Sequence, residues 1–261
     1  MNTINKKLSF IAILRESYDF IWRERGNFSW PFAILIGVLL LQPIYIALHL
    51  HWATASSSSV VVLMGVLAFL ADLAFSIGIV RATAHGEFRP GWRFFRVDRL
   101  LWQCLWVQVL VVLLSGALLM AITIPLSFVI MTFINLRHWF IAAGLVASLV
   151  LVYAWIRTRL VLAVPLRALG VARPIAEAWA LARGNVWRIL GLILLAWVPM
   201  LVLSVISVLP LWGLAGKSSF AIYSVWPLMV YVVCYGVCGL ISYVVQANCC
   251  RALRTVSVPL P

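Results

Sequence analysis

Residues 100–124 read LLWQCLWVQVLVVLLSGALLMAITI, without a single charged side chain. A helix needs about 20 apolar residues to cross roughly 30 Å of hydrocarbon, and in lipid each backbone polar group must find its partner within its own segment. The stretch is therefore expected to be a transmembrane helix. Pro125 comes next and reads as a kink or a helix end, while Leu126 to Phe133 stays apolar enough to prolong the same span. Working outward from this run, five others of comparable length stand at about 30–50, 59–80, 139–160, 188–212 and 221–247. The expected fold is all-α: a polytopic membrane helical bundle of six transmembrane helices over residues 30–250. An amphipathic cytoplasmic segment, 1–29, precedes it, and a cytoplasmic tail, 251–261, succeeds it.

Composition leads to the same class. The chain is 65% hydrophobic and 10% charged, with a mean hydropathy of +1.09, whereas soluble domains run about a quarter charged and half apolar. The surplus of apolar side chains has to face lipid. Thirteen Trp and seven Tyr fit this reading, because their amphipathic rings favour the headgroup level.

Orientation is set by where the cations fall. Of the 20 Lys and Arg, 18 lie in the N-terminal segment, the connections 81–99 and 157–188, and the C-terminal tail; Arg137 and Lys217 alone lie on the other side. Cytoplasmic loops retain positive charge, so both ends are expected inside, in the inner membrane of a bacterium. Arg81, Arg93, Arg96, Arg157, Arg159, Arg173 and Arg188 are the candidate contacts for anionic lipid headgroups. The same placement accounts for a net charge of +13 without nucleic acid, since no basic tract interleaved with aromatics stands away from the membrane edge. The first apolar run begins after about 29 residues that carry both signs of charge, so no cleavable leader is expected.

Two cytoplasmic segments read as surface helices that feed into spans. Over 10–23, Phe10, Ile11, Leu14, Tyr18, Ile21 and Trp22 fall on one arc, and Arg15, Glu16, Asp19 and Arg23 on another. The second segment starts at Pro174, carries Glu177 in its first turn and Arg183 in its last, and stops at Gly184, after which Asn185 suits the cap of the next helix. Arg25-Gly26-Asn27 recurs as Arg183-Gly184-Asn185, 158 residues later, each triad leading into a span. Common origin and chance are both open. In either case a chain turning from the membrane plane to its normal needs a residue free to take positive φ, which glycine does without penalty.

The run Ala178-Trp179-Ala180-Leu181-Ala182-Arg183-Gly184-Asn185-Val186-Trp187-Arg188-Ile189-Leu190-Gly191-Leu192, with RLVLAVP at 159–165 upstream, resembles bacterial membrane proteins related to the membrane domain of glycerophosphoryl diester phosphodiesterases. In layout the resemblance covers most of the chain, and in motif about 30 residues. It implies a stand-alone membrane module. The soluble barrel that carries phosphodiesterase chemistry in that group has no room here, and its catalytic carboxylates have no counterpart.

The inventory of reactive groups points away from an enzyme and offers no cofactor site. Six of the seven acids sit at membrane edges or in cytoplasmic segments, the four histidines are spread over both sides, and there is no phosphate loop, nucleophile elbow or metalloprotease helix. His49 and His51 make a poor metal pair; solvated imidazoles are the simpler reading. Cys104, Cys234, Cys238, Cys249 and Cys250 fall in or at the cytoplasmic ends of spans, where apolar packing is expected.

Asp72 resists that plain account. It lies nine residues before Arg81, about 13 Å inside the boundary, where a carboxyl costs on the order of 2.5 to 3.5 kcal/mol. Gln108, nine residues after Arg99 on the antiparallel neighbour, matches its depth. One reading is an Asp72–Gln108 hydrogen bond that pins the helix pair; the other is a proton or cation relay. Three functions are compatible with these readings: a non-catalytic scaffold or accessory module in lipid or envelope processes, a small transporter or lipid-handling carrier, and an intramembrane enzyme. Membrane lipids, anionic ones first, are the expected partners, with a protein partner or a second copy left open.

Overall fold

The computed structural model describes residues 9–49, 57–86, 88, 91–95, 98–135, 139–198, 202 and 220–254. Among them the chain is all-helical: α1 (Phe10–Arg23), α2 (Arg25–His49), α3 (Ser57–His85), α4 (Arg99–Asn135), α5 (Trp139–Leu160), α6 (Ala163–Ala168), α7 (Pro174–Leu181), α8 (Val186–Val198) and α9 (Phe220–Arg254), with a 3-10 turn at Gly91–Phe94. Four segments are long and apolar enough to cross a membrane: Ser59–His85, Arg99–Ser127, Ala143–Ala168 and Val232–Leu253. A fifth is obtained if α7 and α8, which meet at 99°, count as one broken span.

Hydropathy predicts six spans, and the described residues supply four or five. The first expected span falls on α2, a helix of 25 residues that begins earlier, at Arg25, and of which Arg25–Leu41 is a shorter apolar stretch. The fifth, expected to reach 212, runs as described helix only through Val198, and nearly all of 199–212 lies outside the described residues. Pro125 ends nothing. α4 continues through it to Asn135, as a membrane helix does when neighbouring groups re-satisfy the freed carbonyl.

Local chemistry sets the helix ends. The Asp98 carboxylate accepts from the backbone N–H groups of Leu100 (2.9 Å) and Leu101 (3.3 Å), so the orphan donors of the first turn of α4 are met from outside the membrane helix. Gly170, at φ 82°, closes α6 in a Schellman arrangement: its N–H donates to Arg167 and that of Val171 to Leu166.

Helix α9 is the hub, packing against α1, α2, α3 and α6. Val244, Val245, Ala247 and Cys250 on it are fully buried. One face meets a core built with α5, α6, α7 and α8, and another an aromatic cluster around Phe20, Phe28, Phe75 and Phe94. The five cysteines are all buried thiols within this packing.

In the N-terminal helix the buried residues are Ile13, Ser17 and Phe20; of the apolar arc, Phe10, Leu14 and Ile21 pack partly buried against the core, while Ile11, Tyr18 and Trp22 are exposed. Ser17 is small enough for α9 to approach: the Asn248 amide donates to its Oγ at 3.0 Å, and Glu16 pairs with Arg251. Ile11 and Trp22 are exposed, with the Arg25 guanidinium 4.4 Å from the Trp22 ring centre. Helix α1 is thus clamped to protein on one face and keeps an aromatic face open.

Candidate functional site

Two features bring functional groups together. The first is a chamber of about 240 Å³ inside the bundle, where α3, α4, α5, α6 and α9 meet. Asp72 and Ser76, one turn apart on α3, line it together with Gln108 of α4, Arg157 of α5, and Tyr235, Tyr243 and Gln246 of α9. Helical spacing places the three α9 residues on one face, which is how a predominantly apolar helix presents a polar strip inward.

Asp72 and Gln108 do share a wall, as their matched depth implies, but the carboxylate has another partner. The Tyr243 hydroxyl donates to Oδ2 of Asp72 at 2.7 Å, and Tyr235 approaches the same carboxylate as a second hydroxyl donor. The expected Asp72–Gln108 bond gives way because a phenol from α9 reaches the carboxylate first. Depth matching cannot see this competitor, since it compares sequence neighbours and says nothing of azimuth. Ser76 Oγ is spent on the Leu73 carbonyl (2.7 Å), and the Gln246 amide donates to Ser242 (3.0 Å).

The second feature is a groove of about 820 Å³ between α4 and α7. Its walls are Trp106, Leu110 and Leu114 on one side and Ile175 and Trp179 on the other; Gln103, Arg167 and Arg173 supply its polar groups, and no acid lines it among the described residues. Arg167 is held by donation to the Val171 carbonyl at 2.9 Å, and Arg173 is exposed.

The candidate headgroup cations separate accordingly. Arg173 stands at the groove, and Arg93 is exposed. Arg157 turns to the chamber. Arg159 is stacked between Trp155 and Trp179, 4.2 and 4.6 Å from their centres, with its Nε buried and lacking a hydrogen bond. Arg81 and Arg188 are half-buried, and Arg96 lies outside the described residues.

The two Arg-Gly-Asn triads also part company. Gly184 adopts φ 81°, and Asn185 is buried and accepts at its carbonyl the N–H groups of Arg188 and Ile189 as α8 begins. Positive φ at the break where α7 and α8 meet at 99° is the conformation expected of Gly184. Arg25, Gly26 and Asn27 instead form the first turn of α2, and the break falls at Glu24, which takes Asn27 side-chain and backbone donation at 2.9 Å. A negative φ at Glu24 suffices for that turn, so glycine freedom is unused and the two triads share letters without sharing conformation.

Sequence reasoning missed Tyr235, Tyr243 and Gln246. Their signal is present as polar residues spaced along one face of the last apolar run. Compared with known proteins, the chain matches no family model, no curated protein and no solved structure.

Proposed function

We propose that the chain is a non-catalytic module of a bacterial inner membrane, with six spans and both ends in the cytoplasm, which holds anionic lipid on its basic side and serves as a scaffold or accessory in lipid or envelope processes. The observation that carries this reading is the groove between α4 and α7. An acyl chain matches the apolar walls of Trp106, Leu110, Leu114 and Ile175, while a phosphodiester meets Arg173 and Arg167, with no carboxylate to oppose it. Trp106 and Trp179 are both exposed, at 68% and 37%, and indole rings favour the headgroup boundary. The resemblance of residues 178–192 to phosphodiesterase membrane domains, and the 18-to-2 cation split, support the same assignment.

The test is lipid retention. Protein purified in mild non-ionic detergent is expected to carry anionic phospholipid enriched over its share of the membrane, and Arg173→Gln combined with Trp179→Ala should lower that retention severalfold at unchanged melting temperature. Equal retention in both proteins, or no enrichment, would remove the groove from consideration. Reporter fusions at 136 and 170 should read outside and inside; the reverse would overturn the orientation.

A second reading, a small carrier, is favoured by the chamber around Asp72. Ligand-dependent flux in proteoliposomes would support it over the scaffold.

A further inference from the structure

The chamber holds one carboxyl and one guanidinium that do not pair with each other directly. Asp72 and Arg157 both line it, and none of the ion pairs among the described residues joins them. In a low-dielectric bundle each charge needs a partner or water. Tyr243 donates to Oδ2 of Asp72 and Tyr235 approaches the same carboxylate, whose two oxygens offer about four lone-pair sites in all and so keep capacity to accept. Arg157 has five N–H donors and faces the chamber beside Gln108. A volume of about 240 Å³ corresponds to the liquid share of roughly eight waters.

We propose that this chamber binds a small primary ammonium that also carries an oxyanion, of the size of phosphoethanolamine, with the ammonium on Asp72 and the oxyanion on Arg157 and Gln108. The ammonium donates to a remaining lone pair of the Asp72 carboxylate, and its flank lies against Tyr235, whose ring is itself held edge-on by Trp197 at 5.6 Å. The planar fork of Arg157 receives phosphate or carboxylate oxygens in pairs. Matching both charges with one molecule removes two desolvated ions at once, which neither a simple cation nor a simple anion does. The same chemistry comes either from a free solute or from the headgroup of an aminophospholipid. The inference goes beyond the groove reading and does not rest on it, because its readout is dependence on an amine.

The experiment is calorimetric titration of the full chain in non-ionic detergent with four probes: O-phosphoethanolamine, a short-chain phosphatidylethanolamine, and the choline counterpart of each. Saturable binding of the free solute assigns the solute; binding of the lipid alone assigns the headgroup; both outcomes uphold the site. The choline forms should bind at least tenfold more weakly, since a trimethylammonium has no N–H for Asp72. Asp72→Asn and Arg157→Gln should each weaken the ethanolamine probes at least tenfold, with Arg157→Lys recovering part of the loss. Should either variant fail to fold, the ethanolamine-to-choline ratio on the unaltered protein decides. No saturable binding of any probe, a choline form that binds as well, or folded variants that bind like the unaltered protein would each overturn the proposal.

Discussion

Helix α9 has a mean hydropathy of 1.5 over its span and buries 67% of it; α4 has 2.6 and buries 11%. The more apolar helix is the more exposed. In water this ordering would be perverse, but lipid tails are as apolar as leucine, so nothing drives an all-apolar helix inward. Trp102, Trp106, Leu113 and Met120 of α4 face outward, whereas α9 brings Ser242, Gln246 and Asn248 into the interior. Buried polarity, rather than hydropathy, marks the hub of the bundle.

The sharpest way to break this contrast is to change volume on each helix. Ala247→Leu adds bulk where α9 is fully buried, and overpacking of this kind costs about 1 to 3 kcal/mol. Leu113→Ala on the exposed face of α4 should shift stability by no more than about 0.5 kcal/mol. Thermal denaturation in detergent measures both. Equal shifts would mean that α4 is covered by something in the native membrane protein and that the ranking of the two helices is wrong.

A middle-sized effect sharpens the comparison by carrying it from side chains to backbone. Gly184→Val forces a β-branched residue into φ 81° and should cost on the order of 1 to 3 kcal/mol. Gly26→Ala, in the first turn of α2 with open space around a new Cβ, should hold or raise stability by a few tenths up to about 1 kcal/mol. Matching losses at both positions would restore the idea of two equivalent hinges. Removing the α9 hydroxyl that serves Asp72, by Tyr243→Phe, should cost ~0.6 to 2 kcal/mol, the range for a hydrogen bond within a membrane.

The smallest effect is expected where α9 leaves the bundle. Arg251 and Glu16 are each about half exposed, so Arg251→Gln should lower stability by no more than about 1 kcal/mol, and less in high salt. A larger, salt-insensitive loss would show that the clamp on α1 depends on this pair rather than on the buried Ser17–Asn248 contact.

The helical class, the cores of α3, α4 and α5, and the hinge at Gly184 are all legible in the sequence, because length, apolarity and a glycine before an Asn cap are local signals. Of the six spans that hydropathy predicts, the described residues supply four or five, and the 99° bend by which α7 and α8 join is not a local signal. The partner of Asp72 is illegible for a different reason: Tyr243 is 171 residues away, and which way each helix is rotated is decided by packing. Helix α1 shows the same gap. Its wheel has a convincing apolar arc, yet the docked face is the one centred on Ser17, where a small side chain permits close approach and an Asn on α9 supplies the donor.

The clasp between Ser17 and Asn248 spans 231 residues, and this separation constrains biogenesis. At ~5 to 20 residues per second of synthesis, on the order of 10 to 50 s pass between emergence of the two partners from the ribosome. Throughout that interval the nascent α1 lacks the α9 side of its dock and has only partners made earlier, such as Phe28 and Phe88 against Phe20. Arrival of α9 then recruits a segment made more than two hundred residues earlier, so insertion of the hub and locking of α1 become a single event.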